Sequence, residues 1–212
     1  MELSVANERL CLRTGVDELE ARLWLPCEPV GVVVLAGENG RQRLRPTGDY
    51  LPSVLSEARL ATLALDVGAP GESAPLDEGS EGLQQRLRLA CGWVRRHKLV
   101  GELPLGLVGI GRGAVAALES GAELGRDLCA LAARGMHCQP ALAGMARISA
   151  PTLLIAGGLD DAAVVHSRLA YAALRCRKRF EIVPGATRAF DEPGSLEVVA
   201  RLVRSWFVQH VH

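Results

Sequence analysis

The sequence has no long apolar run, no net charge and no closely spaced pair of cysteines, and each absence excludes a class of protein. The longest apolar stretch, residues 30–37, is far shorter than the roughly 18 residues that indicate a membrane-spanning helix. Lys and Arg together number 24, as do Asp and Glu. This balance does not favour a nucleic acid or another polyanion as partner.

The six cysteines contain no C-x-x-C pair, and several lie in apolar stretches where a free thiol packs like a small hydrophobic side chain. We therefore expect reduced thiols. Cys129, His137 and Cys138 are residue types that bind zinc, but two adjacent ligands without a fourth partner make a poor site. No metal or cofactor is predicted.

The first residues, MELSVANERLCLR, carry charges where a secretion signal would be apolar. This pattern predicts a cytoplasmic protein. The length of 212 residues and the 49% apolar content are ordinary for one globular domain over residues 1–212.

Short apolar runs punctuated by glycine predict strands, and helical repeats lie between them. The predicted strands are 19–25, 31–36, 62–65, 105–110 and 152–156, with weaker candidates at 128–132 and 180–183. Helical spacing is found in Leu83–Leu87–Cys91–Val94, Val165–Leu169–Ala172 and Leu196–Val199–Val203–Trp206. Alternating strands and helices predict a mostly parallel, twisted sheet with helices on both faces, a three-layer α/β fold. The turn-rich segment 67–82 follows a strand end, where such folds place ligand loops.

The most informative stretch is residues 105–118, LGLVGIGRGAVAAL, a buried strand followed by alternating glycines and an apolar helix. A dinucleotide fingerprint fits it poorly, because the third glycine comes one residue early and no acidic strand end follows about 20 residues later. The frame G-x-S-x-G of a nucleophile elbow fits better, with Gly109 and Gly113 as the flanking glycines. The nucleophile position is then Gly111.

Several stretches together resemble the dienelactone-hydrolase-like branch of the α/β hydrolases. They are VGVVVLAG, LATLALD, LGLVGIGRGAVAAL, SAPTLLIAGGLDD and KRFEIVPGATRAFDEPGSLEVVARLVRSWF. The resemblance implies the α/β-hydrolase fold and a hydrolytic triad. It implies a Ser or Cys on the elbow, an Asp after a later strand, a His after the last strand, and an oxyanion loop after the first long strand.

The triad positions implied by the resemblance are unevenly filled. Asp160 matches the acid of the family's G-G-x-D, whereas Gly111 stands at the nucleophile position and Arg188 at the histidine position of PGATH. The oxyanion loop begins here with Ala36-Gly37, where His-Gly is frequent in the family. Glycine has no attacking atom, and a guanidinium cannot accept a proton near neutral pH. We therefore expect an α/β-hydrolase domain that is inactive as a hydrolase and serves as a module for binding a small ligand or a protein.

An alternative is a weak esterase or lactonase that uses other residues. His137 and Cys138 follow a candidate strand, and a Cys-His pair is a known nucleophile arrangement. Adjacent residues seldom orient toward each other in that way, and neither lies on the elbow.

Arg188 has two alternative roles. In the first, which we favour, it forms a structural ion pair with Asp160. In the second, Arg188 and Arg112 face a small anion, together with arginines on the former oxyanion loop (Arg41, Arg43 and Arg45) and backbone N–H groups at the helix start. The sequence leaves open a homodimer as well as a protein partner.

Overall fold

The computed structural model describes residues 6–14, 17–37, 49–66, 80–136 and 138–211. The strands are β1 (Ala6–Thr14), β2 (Asp17–Leu25), β3 (Gly31–Gly37), β4 (Leu60–Asp66), β5 (Leu105–Ile110), β6 (Leu128–Arg134), β7 (Thr152–Gly157) and β8 (Lys178–Val183). The helices are α1 (Tyr50–Glu57), α2 (Ser80–Arg96), α3 (Arg112–Leu124), α4 (Leu142–Met145), α5 (Asp161–Ala173) and α6 (Ser195–Val208).

The eight strands form one sheet in the order β1-β2-β4-β3-β5-β6-β7-β8. The strands β4, β3, β5, β6, β7 and β8 are parallel to one another, whereas β2 pairs antiparallel with both β1 and β4. Parallel pairing brings the carboxyl ends of β3, β5, β6, β7 and β8 to one edge of the sheet, where α/β folds bind ligands.

Helices cover both faces of the sheet, which confirms the predicted three-layer α/β fold. One apolar cluster joins one face to α2, α3 and α4, and the other joins the opposite face to α1 and α6. The central strand β3 is buried along its whole length, which explains its uninterrupted apolar sequence. No helix in the part of the chain described is long and apolar enough to cross a membrane.

All seven predicted strands are present, most of them extended by one to three residues. Three elements were not predicted: β1, α1 and the four-residue helix α4. The first residues of β1, Ala6 to Arg9, are exposed and lack a strong apolar alternation. Helix α1 has only 8 residues and contains Pro52, which is tolerated in the first turn of a helix.

The apolar repeat in α5 located the helix but not its buried face. Val165 and Leu169 are 53% and 39% exposed. The side that faces the sheet carries Ala163, Ser167 and Ala170 instead. Small side chains were required here because they allow the helix to lie close to β7 and β8, and small residues give a weak apolar signal.

Candidate functional site

The turn between β5 and α3 has the geometry of a nucleophile elbow. Gly111 is its single connecting residue, with φ 61° and ψ −119°. A side chain is disfavoured at positive φ, whereas glycine adopts it freely. The Gly111 N–H donates to the Arg134 carbonyl oxygen at 3.0 Å, which fixes the elbow against the end of β6.

The two flanking glycines allow close backbone contact around the elbow. A Cβ on Gly109 would overlap the Gly113 carbonyl oxygen, and one on Gly113 would overlap the carbonyl oxygen of Ala36. Glycine at both positions therefore lets α3 start directly against β3. The same contact places the elbow beside Ala36-Gly37, the predicted start of the former oxyanion loop; the arginines predicted to follow on that loop, Arg41, Arg43 and Arg45, lie outside the described residues.

Asp160 is held between the start of α5 and the side chain of Arg188. Its Oδ1 accepts from the Ala163 N–H at 3.1 Å and so caps the helix. Its Oδ2 accepts from Arg188 Nε at 2.9 Å. The Asp160 side chain is only 8% exposed, whereas that of Arg188 is 56% exposed. The carboxylate is thus satisfied by two donors and sheltered, while the arginine reaches it from the surface.

The environment of Asp160 keeps it ionised. Burial on its own raises the pKa of this carboxyl group, but hydrogen bonds from Arg188 and the Ala163 N–H, with the positive charges of Arg188 and His166, outweigh burial. The net result is a pKa below the ordinary value. Asp160 therefore stands as an anion paired with a permanent cation.

Gly135 connects the elbow to Arg188. It follows β6 with φ 62°, and its N–H donates to the Ile155 carbonyl oxygen of β7 at 2.9 Å. A Cβ on Gly135 would lie 3.5 Å from the Arg188 carbonyl oxygen. Because the Gly111 N–H is hydrogen-bonded to Arg134, the residue before Gly135, the elbow and the Asp160–Arg188 pair lie at the same edge of the sheet.

Arg134, which the sequence did not single out, is a buried charge at this edge. It is 7% exposed, and its guanidinium lies 4.7 Å from the centre of the Phe190 ring. Burial lowers the pKa of Arg134 to about 10, although the charge of Asp191 opposes this. Its Nε has no hydrogen-bond partner. One signal was available, since Arg134 is the charged end of the otherwise apolar strand LCALAAR.

Phe190 is held in an unusual conformation above that guanidinium. It is 2% exposed and has φ 55°, a region that bulky residues rarely occupy. Its N–H donates to the Thr187 carbonyl oxygen at 3.3 Å, within the segment that also carries Arg188. The turn after β8 thus covers Arg134 with one side chain and pairs Asp160 with another.

The other predicted site residues are less closely involved. Arg112 begins α3 next to the elbow and is half-buried. Cys138 is exposed and lies beyond the carboxyl end of β6, whereas Cys129 lies near the amino end of the same strand. The strand therefore separates two members of the weak zinc pattern. The third, His137, lies outside the described residues, so the predicted Cys-His pair stays a prediction.

Three other histidines are half-buried and have defined neighbours. His97 packs on Trp93 with 4.9 Å between ring centres. His166 Nδ1 lies 3.4 Å from the Met136 carbonyl oxygen. His210 Nδ1 lies 2.6 Å from the Trp206 carbonyl oxygen. None of these contacts involves Gly111, Asp160 or Arg188.

Comparison with solved structures finds the same fold in a dienelactone hydrolase and in esterases. The chain is similar to a dienelactone hydrolase from Anabaena variabilis, with 30% identity and a TM-score of 0.90 over 98% of this chain and 99% of that one. The esterase domain of a Rhodothermus marinus protein has the same fold, with 18% identity and a TM-score of 0.82 over 98% of this chain and 100% of that one. No family model matches the sequence.

A second similarity is to proteins of Mycobacterium tuberculosis that carry the name "Putative phosphoribosyl transferase". The identity is 34% over 209 residues, which is 97% of this chain but 47% of the relative. The chain thus spans about half the length of the curated relatives it matches.

Proposed function

Because this chain belongs to the dienelactone-hydrolase-like branch of the α/β hydrolases, we propose that it is a member that does not hydrolyse esters and acts as a binding module. The observation that carries the proposal is Gly111 at the elbow between β5 and α3. An acyl-transfer reaction at this turn needs an attacking oxygen or sulfur, and glycine supplies neither.

The pairing of Asp160 supports the same conclusion. In a working triad the acid orients a histidine, which takes the proton of the nucleophile. Here Asp160 is bonded to Arg188 Nε at 2.9 Å, and a guanidinium cannot serve as that base. Loss of a single triad member lowers the rate by about 10⁴- to 10⁶-fold, and a second loss adds little because the members act as a unit. The Asp160–Arg188 contact is a structural ion pair in this proposal.

Hydrolysis of p-nitrophenyl acetate tests the proposal. The wild-type protein should show no turnover above buffer, and His137→Ala and Cys138→Ala variants should be indistinguishable from it. Turnover that either substitution removes would instead support the rival function, a weak esterase that uses His137 and Cys138.

We assign the ligand of the module to the class of small anions. Arg134 favours this class, because its buried Nε has no hydrogen-bond partner and an anionic acceptor would satisfy it. Helix α3 begins at the same sheet edge, and the N-terminus of a helix attracts negative charge.

Thermal unfolding with and without inorganic phosphate tests the ligand class. Phosphate should raise the Tm of the wild type, and Arg134→Met should remove the rise. Arg126→Met is the matched control, since Arg126 is an exposed residue just before the opposite end of β6. No shift at millimolar phosphate, or an equal shift in the Arg134 variant, would exclude the anion site and leave the absence of hydrolysis as a separate result.

The phosphoribosyl-transferase name of the mycobacterial relatives does not change this proposal. The matched segment is about half of each relative. We do not carry the named activity over to this chain, because the chain has the length and fold of the dienelactone hydrolase.

A further inference from the structure

Strand β8 forms one border of the sheet. It pairs with β7 on its inner side, and no described strand pairs with its outer side. An open strand edge presents unpaired N–H and C=O groups and can add another strand. Neither a proline nor a register shift interrupts Lys178–Val183.

The bonds to β7 identify which backbone groups point outward. The Arg177 carbonyl oxygen accepts from the Thr152 N–H at 2.8 Å, and the Val183 carbonyl oxygen accepts from the Gly158 N–H at 2.8 Å. Odd-numbered residues thus bond inward, and because backbone groups alternate along a strand, even-numbered residues bond outward. Lys178, Phe180 and Ile182 are therefore the residues available to a second strand.

A second copy can pair with this edge through a two-fold axis, which makes the two β8 strands antiparallel. Because only the even-numbered residues bond outward, the two-fold axis must pass beside one residue. That residue then lies opposite the same residue of the second copy. An axis at Arg179 would place two like positive charges opposite each other, and one at Glu181 would do the same with two negative charges. An axis at Phe180 avoids both and gives the longest overlap, with Lys178 opposite Ile182 and three outward residues on each strand in register.

The Phe180-centred register makes the charges complementary. Arg179 then lies opposite Glu181 of the partner subunit, and the symmetry repeats the pair. Both side chains project from the same face of the strand, since Arg179 Nε lies 2.5 Å from Glu181 Oε1 within the chain. They are 53% and 31% exposed, so each can reach across the axis. These positions do not exchange backbone bonds, which is where cross-strand side chains come closest.

The opposite face of the strand adds apolar contact. Phe180 is half-buried and packs toward Tyr171, with 6.5 Å between ring centres. Ile182 is 39% exposed at the border. Lys178 is turned inward, its Nζ donating to the Tyr171 and Leu174 carbonyl oxygens at 2.7 Å. Its charge is therefore directed away from the proposed contact.

From this register we propose that two copies of the chain associate through their β8 strands, antiparallel and centred on Phe180, to form one continuous sheet of sixteen strands. Three outward residues on each strand would supply the backbone bonds, and the two Arg179–Glu181 pairs would select the register.

Charge variants measured by analytical ultracentrifugation test the proposal. The wild type should be a dimer at micromolar to millimolar concentration. Glu181→Arg and Arg179→Glu each replace two attractive cross-strand pairs with repulsive ones, so each should weaken self-association by about tenfold or more. An equimolar mixture of the two variants should restore the dimer, because each charge then faces its opposite across the axis. The double variant Arg179→Glu/Glu181→Arg should also dimerise.

Glu8→Arg on β1, at the other border of the sheet, is the control and should leave the wild-type mass unchanged. Circular dichroism should confirm that every variant is folded. A monomeric wild type would overturn the proposal. Single variants that remain dimers, or a mixture that stays monomeric, would also overturn it.

Discussion

Arg188 lies in contact with Asp160, its Nε 2.9 Å from the carboxylate oxygen Oδ2, and the other oxygen of Asp160 caps helix α5. A single buried carboxylate therefore joins the turn after β7 to the turn after β8. In the function proposed above, Arg188 stands at the position of a proton acceptor and supplies a fixed positive charge instead.

The ion pair predicts a pH-dependent contribution to stability. The folded-state pKa of Asp160 is below its ordinary value of 3.8, so its contribution is present above that value and is lost as pH falls through the folded-state pKa. Asp160→Asn keeps a capping side chain but removes the charge. We expect a loss of about 1 kcal/mol at pH 7, modest because Arg188 is largely exposed, and a smaller loss at pH 3.

Urea unfolding at the two pH values measures this difference. Asp161→Asn is the matched control, because Asp161 is exposed in the first turn of the same helix. An equal deficit for Asp160→Asn at pH 7 and pH 3 would show that the charge of Asp160 is not what stabilises the turn.

Alanine should have opposite effects on stability at two glycines, one beside the elbow and one in α4. In Gly113→Ala the new Cβ would overlap the Ala36 carbonyl oxygen, and we expect a loss of about 2 kcal/mol or more. In Gly144→Ala, within α4, the nearest atoms would be 3.8 and 3.9 Å away, and helix propensity favours alanine by about 0.5–1 kcal/mol. The denaturation midpoints of the two variants measure these changes in stability. Equal changes in the two variants would contradict the close contact between α3 and β3.

Thiol reactivity should separate the cysteines by burial. Burial raises the pKa of Cys91 to about 12 and that of Cys129 to about 11, so neither forms much thiolate at pH 8. Cys11, Cys27 and Cys138 are exposed. Brief alkylation at pH 8 followed by peptide mass spectrometry should label these three and spare Cys91 and Cys129 until urea is added. Rapid labelling of Cys91 in the folded protein would contradict its position in the core.

Much of the fold could be predicted because its strands are short, buried and bounded by glycine. Both ends of β5 were predicted correctly, and the weaker strand predictions at β6 and β8 were also correct. The sequence did not predict features that depend on tertiary contacts for their stability. Strand β1 is largely exposed, and α5 presents alanine and serine, not its apolar stripe, to the sheet.

Local sequence motifs identified three of the candidate site residues. The elbow glycines and the G-G-x-D turn depend on neighbouring residues, so Gly111, Asp160 and Arg188 could be placed from their sequence context. Arg134 and Phe190 could not, because the stacking between them joins residues 56 positions apart and no motif marks it.

Restoration of ester hydrolysis tests the central claim most directly. We compare p-nitrophenyl acetate hydrolysis by the wild type, Gly111→Ser, Arg188→His and the double variant Gly111→Ser/Arg188→His. The account predicts background rates for the wild type and both single variants. It predicts measurable turnover for the double variant alone, with a fluorophosphonate adduct at position 111 in mass spectrometry. A wild-type protein that hydrolyses the ester, with activity lost in Asp160→Ala, would contradict the account.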